Sequence, residues 1–264
     1  MSTATQSAPV GSLLREWRTR RRISQLELSS ETGVSTRHLS FIETGRSRPS
    51  RDMVMRLAEF LELPLRERNA LLLAAGYAPE YAQTPLSAES MRDVRRSLQA
   101  LVDAHQPCPA MAVDHGWNLV LANDSAFALV EGLPAELLTE PINIMRLLFH
   151  PDGFRNLVVD FDTYGAHLLH RLHRQLRATG DEEIRELIHE LEGYPGVSSF
   201  RGSTYPIAPV LRMRLSEDGP TLSFFTIVST LGTPYDVTLD EIAIESFFPA
   251  DEATATAIGM KPPD

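Results

Sequence analysis

Three histidines, His167, His170 and His173, recur at intervals of three on a stretch that reads as helix, with Arg171 and Arg174 between them. That spacing keeps the rings near one helical face, so metal ligation is conceivable. The run lacks the Glu of the zinc-protease pattern, and the chain has one cysteine, Cys108. The simpler reading is a solvated or partner-facing basic stripe, which could also meet the carboxylate end of an acidic ligand. Cys108 stands between Pro107 and Pro109 with no basic neighbour to lower its pKa, and reads as a packed thiol. Ser198, Ser199 and Ser203 lie in a loop without a G-x-S-x-G elbow. No glycine-rich phosphate loop or dinucleotide fingerprint is present. His115 is expected to be exposed in a turn, and His150, before Pro151, to end a helix. These residues point to no enzyme, no metal and no cofactor.

Recognition chemistry is better supported. Between Gly33 and Gly45 a short helix is expected, with Leu39 and Ile42 facing a core and Ser35 or Thr36 as its cap. Thr36, Arg37, Ser40 and His38 then point outward, where they could meet base edges in a major groove. Arg37 suits bidentate bonding to guanine, and Phe41 could touch a thymine methyl. Gln25, Arg46 and Arg48 are better placed for phosphates, which fix register without reading sequence.

These residues need a scaffold. Leu13, Leu14 and Trp17 mark a first helix, with Arg15, Arg18, Arg20 and Arg21 on its other side. Ser24 and Glu27 form a capping box for a second, whose buried positions are expected to be Leu26 and Leu28. Gly33 supplies a turn needing positive φ. A fourth helix starts at Ser50, with Met53, Leu57, Phe60 and Leu61 on one face, and a fifth runs from Leu65 to Ala75, closed by Gly76. Two short helices joined through a glycine turn are a helix-turn-helix signature.

Charge is sorted along the 264 residues. Residues 1–76 carry 12 Arg against 8 acidic residues, a net of +4. From the totals of 25 basic and 35 acidic residues, 77–264 carry 13 against 27, a net of −14. A basic head on an acidic body suggests that the head alone meets polyanions. The lack of a long apolar span excludes a membrane segment, and the polar start Met1–Val10 and single cysteine point to the cytoplasm. The expected division is a tail over 1–10, a DNA-binding domain over 11–76, a linker over 77–85, a ligand-binding and dimerisation domain over 86–255, and a tail over 256–264.

In the body a helix over Ala88–Ala104 carries Met91, Val94, Leu98 and Leu101 on one stripe, to pack on a sheet or on a twin subunit. Strands are expected at Pro109–Val113 and Trp117–Leu121, then helices at Ile142–Phe149, Pro151–Arg177 and Glu182–Glu192. Strands resume at Ile207–Leu215 and Thr221–Thr230, around a turn at Asp218-Gly219. This order gives an α+β domain, a mostly antiparallel sheet with helices on one side and room for a cavity. Alternating strand residues and the helical wall nominate Met111, Trp117, Leu119, Leu121, Met145, Leu148, Phe149, Leu168, Leu172, Met213, Phe224 and Thr226 as ligand-binding.

Ser24-Gln25-Leu26-Glu27-Leu28 through Gly33-Val34-Ser35 to Phe41-Ile42-Glu43-Thr44-Gly45, then Arg48-Pro49-Ser50, resembles the XRE family of helix-turn-helix regulators. The resemblance implies a five-helix, lambda-repressor-like domain in which Glu43 holds the third helix to the following loop and Gln25 contacts the DNA backbone. Pro109–Val113, Trp117–Asn123, Asn143–Phe149, Asp152–Arg155 and Gly232–Asp251 resemble the MmyB-like ligand-binding domain. That resemblance implies a PAS-like fold and a ligand-responsive regulator, with a long-chain fatty acid as one ligand class. The chain departs from it at Gly193–Gly196 and Tyr205-Pro206-Ile207. The expected partners are a palindromic duplex operator, a second copy of the chain and a small apolar or amphipathic ligand. The alternative is a body that serves as a dimerisation or protein-interaction module.

Overall fold

The computed structural model describes residues 9–197, 210–214 and 219–260. The expected strand Ile207–Leu215 and the turn at Asp218 lie partly outside these residues, and Ser198, Ser199, Ser203 and Tyr205-Pro206 wholly outside. The chain forms two compact units, one of residues 1–84 with 177–179 and 233–240, the other of 85–176, 180–232 and 241–264.

The first unit is a bundle of α1 (Val10–Arg20), α2 (Gln25–Thr32), α3 (Thr36–Glu43), α4 (Arg51–Phe60) and α5 (Leu65–Ala74). Its local signals act as read. Ser24 Oγ accepts the Glu27 amide at 3.0 Å while Glu27 accepts the Ser24 amide at 3.4 Å, completing the capping box. Gly33 ends α2 at φ 68°, and Ser35 Oγ caps α3 by accepting the His38 amide at 3.2 Å. Leu14, Trp17, Leu28, Leu39, Ile42, Leu57 and Leu72 share the core. Leu26 does not: it is 72% exposed, because the short α2 turns only Leu28 and Thr32 inward. A Cβ on Gly11 would lie 2.1 Å from the Ile42 carbonyl, so glycine lets α1 rest directly on the end of α3.

The stretch 233–240 also belongs to this unit and contains α11 (Val237–Asp240). Asp236 pairs with Ala82 as a parallel bridge, and the Val237 amide donates to the Ala82 carbonyl at 2.8 Å. The Asp236 carboxylate accepts the Thr84 amide at 3.2 Å. Asp240 accepts the Leu65 amide at 3.3 Å, supplying a carboxylate to the α5 N-terminus, where Pro64 offers no capping side chain.

The second unit is built on a fully antiparallel sheet of β1 (Ala110–Val113), β2 (Leu119–Ala122), β3 (Val210–Met213), β4 (Leu222–Thr230) and β5 (Ala243–Pro249), in the order β2-β1-β5-β4-β3. β5 lies at the centre although sequence reading assigned no strand there. Helices cover both faces, correcting the one-sided expectation. On β1, Met111 and Val113 face the core shared with α8 (Ile144–Phe149), α9 (Phe161–Thr179) and α10 (Glu182–Glu192). Ala110 and Ala112, fully buried, point the other way, where their small size admits α6 (Arg92–Asp103) against β1 and β2. The α6 stripe is buried at Leu98 and Val102, with Leu101 46% exposed.

Two polar residues brace this unit. Asn123, 1% exposed, caps α7 (Asp124–Val130) by accepting the Ala126 amide at 3.0 Å, accepts the Ala110 amide at 3.1 Å, and donates to the Val102 and Cys108 carbonyls. Asn143 caps α8 and donates to the Gly116 carbonyl at 2.7 Å. The expected 151–177 helix starts instead at Phe161. Gly153 passes against the Leu147 carbonyl, and β-branched Val158 bridges to Met213, so the chain cannot coil earlier.

Candidate functional sites

On the first unit, α3 presents Thr36 and Arg37 exposed, with His38, Ser40 and Phe41 partly so. The Arg37 guanidinium sits 5.4 Å from the centre of the Phe41 ring. Such a contact orients the fork without using its five donors. Thr36 Oγ1 donates to Ser29 Oγ at 3.1 Å, tying α3 to α2, and Ser47 meets His38 Nε2 at 3.2 Å. Arg46 is exposed beyond the end of α3.

Beneath this surface lies a closed ionic knot. Glu43, 8% exposed, accepts Arg18 Nε at 2.7 Å and Nη2 at 3.1 Å, and Gln25 Nε2 at 2.7 Å. It therefore binds α3 to α1 and α2, and not to the loop after α3. Gln25 uses its amide on Glu43, and Arg18 points inward from the helix whose arginines read as a basic face. Arg48 donates to the Ala75 carbonyl at 2.7 Å and the Gly76 carbonyl at 3.0 Å, stacked 5.0 Å over Tyr77. It closes the C-terminal end of α5.

The second unit contains an apolar cavity of about 290 Å³ between the sheet and α7, α8 and α9. Met111, Leu119, Met145, Leu148, Leu168 and Met213 line it. Trp117, Phe149, Leu172 and Phe224 are buried in the surrounding core without reaching the cavity wall, and Leu121 pairs with Ala112, which faces α6. The bulge between Ala112 and Val113 shifts the register, and Trp117 lies outside β2 at φ 67°, so the expected alternation fails there. Phe127 lines the cavity while 47% exposed, marking its open side.

Two polar residues on the described wall escaped sequence reading: Tyr164 on α9 and Glu245 on β5. Glu245, 6% exposed, accepts Arg171 Nη1 at 2.6 Å, and Arg171 lies 4.2 Å from the centre of the Trp117 ring. Arg171 is thus no member of a solvated stripe. Burial, then the Glu245 charge, pushes the Tyr164 hydroxyl well above its ordinary range, so it stays a neutral donor. Thr226, outside the cavity wall, has a buried Oγ1 beside the Tyr164 hydroxyl and partly opposes that rise. The one available signal was the spacing of Tyr164, Leu168 and Arg171 on a single helical face.

Of the other titratable residues, His167 is held below its ordinary value by burial and by the nearby Arg171, His170 and Arg174. His173 meets Glu192 at 3.4 Å. His115 is not exposed as expected but sits 3.2 Å from Glu183, 3.2 Å from Glu241 and 3.6 Å from Asp181. Burial raises the Cys108 thiol, which lies 3.3 Å from Met260 Sδ.

A family model described as the MmyB-like transcription regulator ligand binding domain matches residues 94–259, and a helix-turn-helix model matches residues 14–68. Both are non-catalytic families of transcription factors. No curated protein matches the chain. Among the described residues no helix is long and apolar enough to cross a membrane.

Proposed function

This chain belongs to the MmyB-like transcription regulators, and we propose that it is a homodimeric, sequence-specific DNA-binding regulator whose second unit holds a small apolar or amphipathic ligand. The observation that carries the reading is the pairing, in one chain, of an exposed α3 with a ligand-sized apolar cavity. Arg37, Thr36 and Ser40 are the base readers, with His38 and Phe41 beside them. Arg46 and the exposed α3 cap residue Ser35 meet phosphate. Two copies place two α3 helices in successive major grooves, about one helical turn apart. Phe225 and Ile227, both more than 40% exposed on β4, support an apolar surface for the second copy.

Regulation requires that ligand bind two arrangements with different strength. Residues 233–240 offer a covalent route. They belong to the unit that carries α3, and the chain joins them to β4 on one side and β5 on the other. A ligand resting on Glu245 and Phe247 of β5 therefore acts two and four residues inside the end of β5 nearest that segment. A ligand-sized apolar cavity argues against a body that serves only as a protein-interaction module.

In vitro selection from random duplex DNA with the full chain is expected to enrich a palindrome whose half-sites lie about one helical turn apart. Enrichment of no sequence, or of a single half-site by a monomer, would overturn the dimeric reading.

A further inference from the structure

A second group of chemistry-bearing side chains lies outside the cavity wall. Among the described residues, His115, Asp181 and Glu183 each bring a metal-ligating atom within 4.8 Å of the others, and the histidine run of α9 forms no such group. His115 Nε2 lies 3.2 Å from Glu183 Oε2 and 3.6 Å from Asp181 Oδ2, while Nδ1 lies 3.2 Å from Glu241 Oε2. Three carboxylates therefore face one ring. A neutral imidazole carries one N–H, so with Nδ1–H donated to Glu241 its Nε2 lone pair meets two more carboxylates. A positive charge belongs between them. The elements around that point are braced. The His115 carbonyl accepts Gln175 Nε2 at 2.7 Å, the Asn118 amide donates to Asp114 at 2.8 Å, and Asn143 donates to the Gly116 carbonyl at 2.7 Å. Asp181 accepts the Glu183 amide on Oδ1 at 2.9 Å, capping α10 and turning Oδ2 toward His115. Glu183 is 70% exposed, so the point is open to solvent.

We propose that His115, Asp181 and Glu183 bind a divalent transition-metal ion of the zinc class, with Glu241 holding the imidazole in the tautomer that ligates through Nε2. A proton on Nε2 serves one carboxylate, and 3.6 Å to Asp181 is too long for a hydrogen bond. An ion serves both. Ligand atoms about 2.1 Å from a shared tetrahedral ion lie roughly 3.4 Å apart, a value that the two distances from Nε2 straddle. A carboxylate on the far ring nitrogen is the usual outer partner of a metal-bound histidine. The imidazole selects the class of ion, because magnesium and calcium favour oxygen ligands while zinc, nickel and cobalt accept nitrogen beside carboxylate. The bound ion ties the turn between β1 and β2 to the start of α10, and so stabilises the second unit.

The test is isothermal titration of the tag-free full chain with zinc chloride and with magnesium chloride, its melting temperature being followed in parallel. Zinc is expected to bind at about one ion per chain in the micromolar range and to raise the melting temperature, with magnesium silent at the same concentrations. Glu183→Gln changes an exposed side chain, keeps the fold and is expected to weaken zinc at least about tenfold, as is Glu241→Gln through the ring it orients. His115→Gln is expected to abolish the binding, and His170→Ala on α9 to leave it unchanged. Zinc binding that survives both Glu183→Gln and His115→Gln, or that is lost in His170→Ala, would overturn the site. Equal binding of magnesium would overturn the class of ion. No zinc binding up to about a millimolar would overturn the proposal outright and leave a protonated His115 as the cation among the carboxylates.

Discussion

Among the described residues each unit holds an arginine–glutamate pair with a buried carboxylate, and the two pairs are finished differently. In the DNA-reading unit Glu43 receives three donors from Arg18 and Gln25, which use both carboxylate oxygens. In the sensor unit Glu245 receives one, and it lines a cavity. A saturated carboxylate fixes three helices in one arrangement. A half-saturated one stores recognition capacity for a molecule that arrives later, because a buried acceptor gains most from a new donor. The first pair builds a rigid platform and the second a receptive site.

The comparison breaks most sharply at Glu43. Glu43→Ala leaves Arg18 and Gln25 buried without their acceptor and should cost about 3–5 kcal/mol in urea unfolding, with loss of DNA binding. A cost near that of a surface substitution would mean that the knot is not structural. Gly11→Ala tests the same platform through sterics, since the new methyl must displace the Ile42 carbonyl. A loss of about 1–3 kcal/mol is expected in the same assay.

Smaller effects separate readers from braces. Arg37→Ala should relax discrimination at one operator position by about 1–3 kcal/mol without changing the melting temperature. Arg46→Ala should weaken all sequences alike and lower the slope of log affinity against log salt by about 1. Arg48→Ala should instead lower thermal stability, because its donors serve the end of α5. A reduced salt slope with unchanged stability would return Arg48 to the phosphates.

The smallest expected effect concerns pH. The Arg146 hydrogen bond, aided by the Tyr194 hydroxyl, holds Glu190 below its ordinary value. A group whose folded pKa is depressed adds stability that is present above its unfolded pKa and is lost as pH falls through the folded one. Because the pair is partly exposed, the contribution is at most about 1 kcal/mol, fading below about pH 4.3. Glu190→Gln should flatten that acid limb of a stability–pH profile, and an unchanged limb would assign acid sensitivity elsewhere.

Legibility in the sequence follows how local each feature is. The first unit is written in short-range signals: Ser24 with Glu27, Gly33, Ser35, and the three-residue spacing of Leu39 and Ile42. Each acts within a turn or two, so the helices and the outward face of α3 could be read directly. Its long-range ties could not. Nothing local says that Arg18 folds inward to Glu43 or that Arg48 reaches the end of α5. The second unit hid its central strand, because Ala243-Ile244-Glu245-Ser246-Phe247-Phe248-Pro249 sets a buried glutamate and serine side by side between apolar residues and ends in proline. A strand covered on both faces has no polar side to reveal its period. Glu245 was lost with β5, and Arg171 was misread because its partner lies 74 positions away.

The central claim is that the cavity governs the grip of α3 on DNA. It is tested most directly by fluorescence anisotropy of the full chain on its selected operator, with and without a saturating small amphipathic molecule that titration shows to bind. The account predicts a change in operator affinity of at least about fivefold, in either direction, and a matching change in ligand affinity when operator is bound. Identical operator affinity with the cavity filled and empty would contradict it.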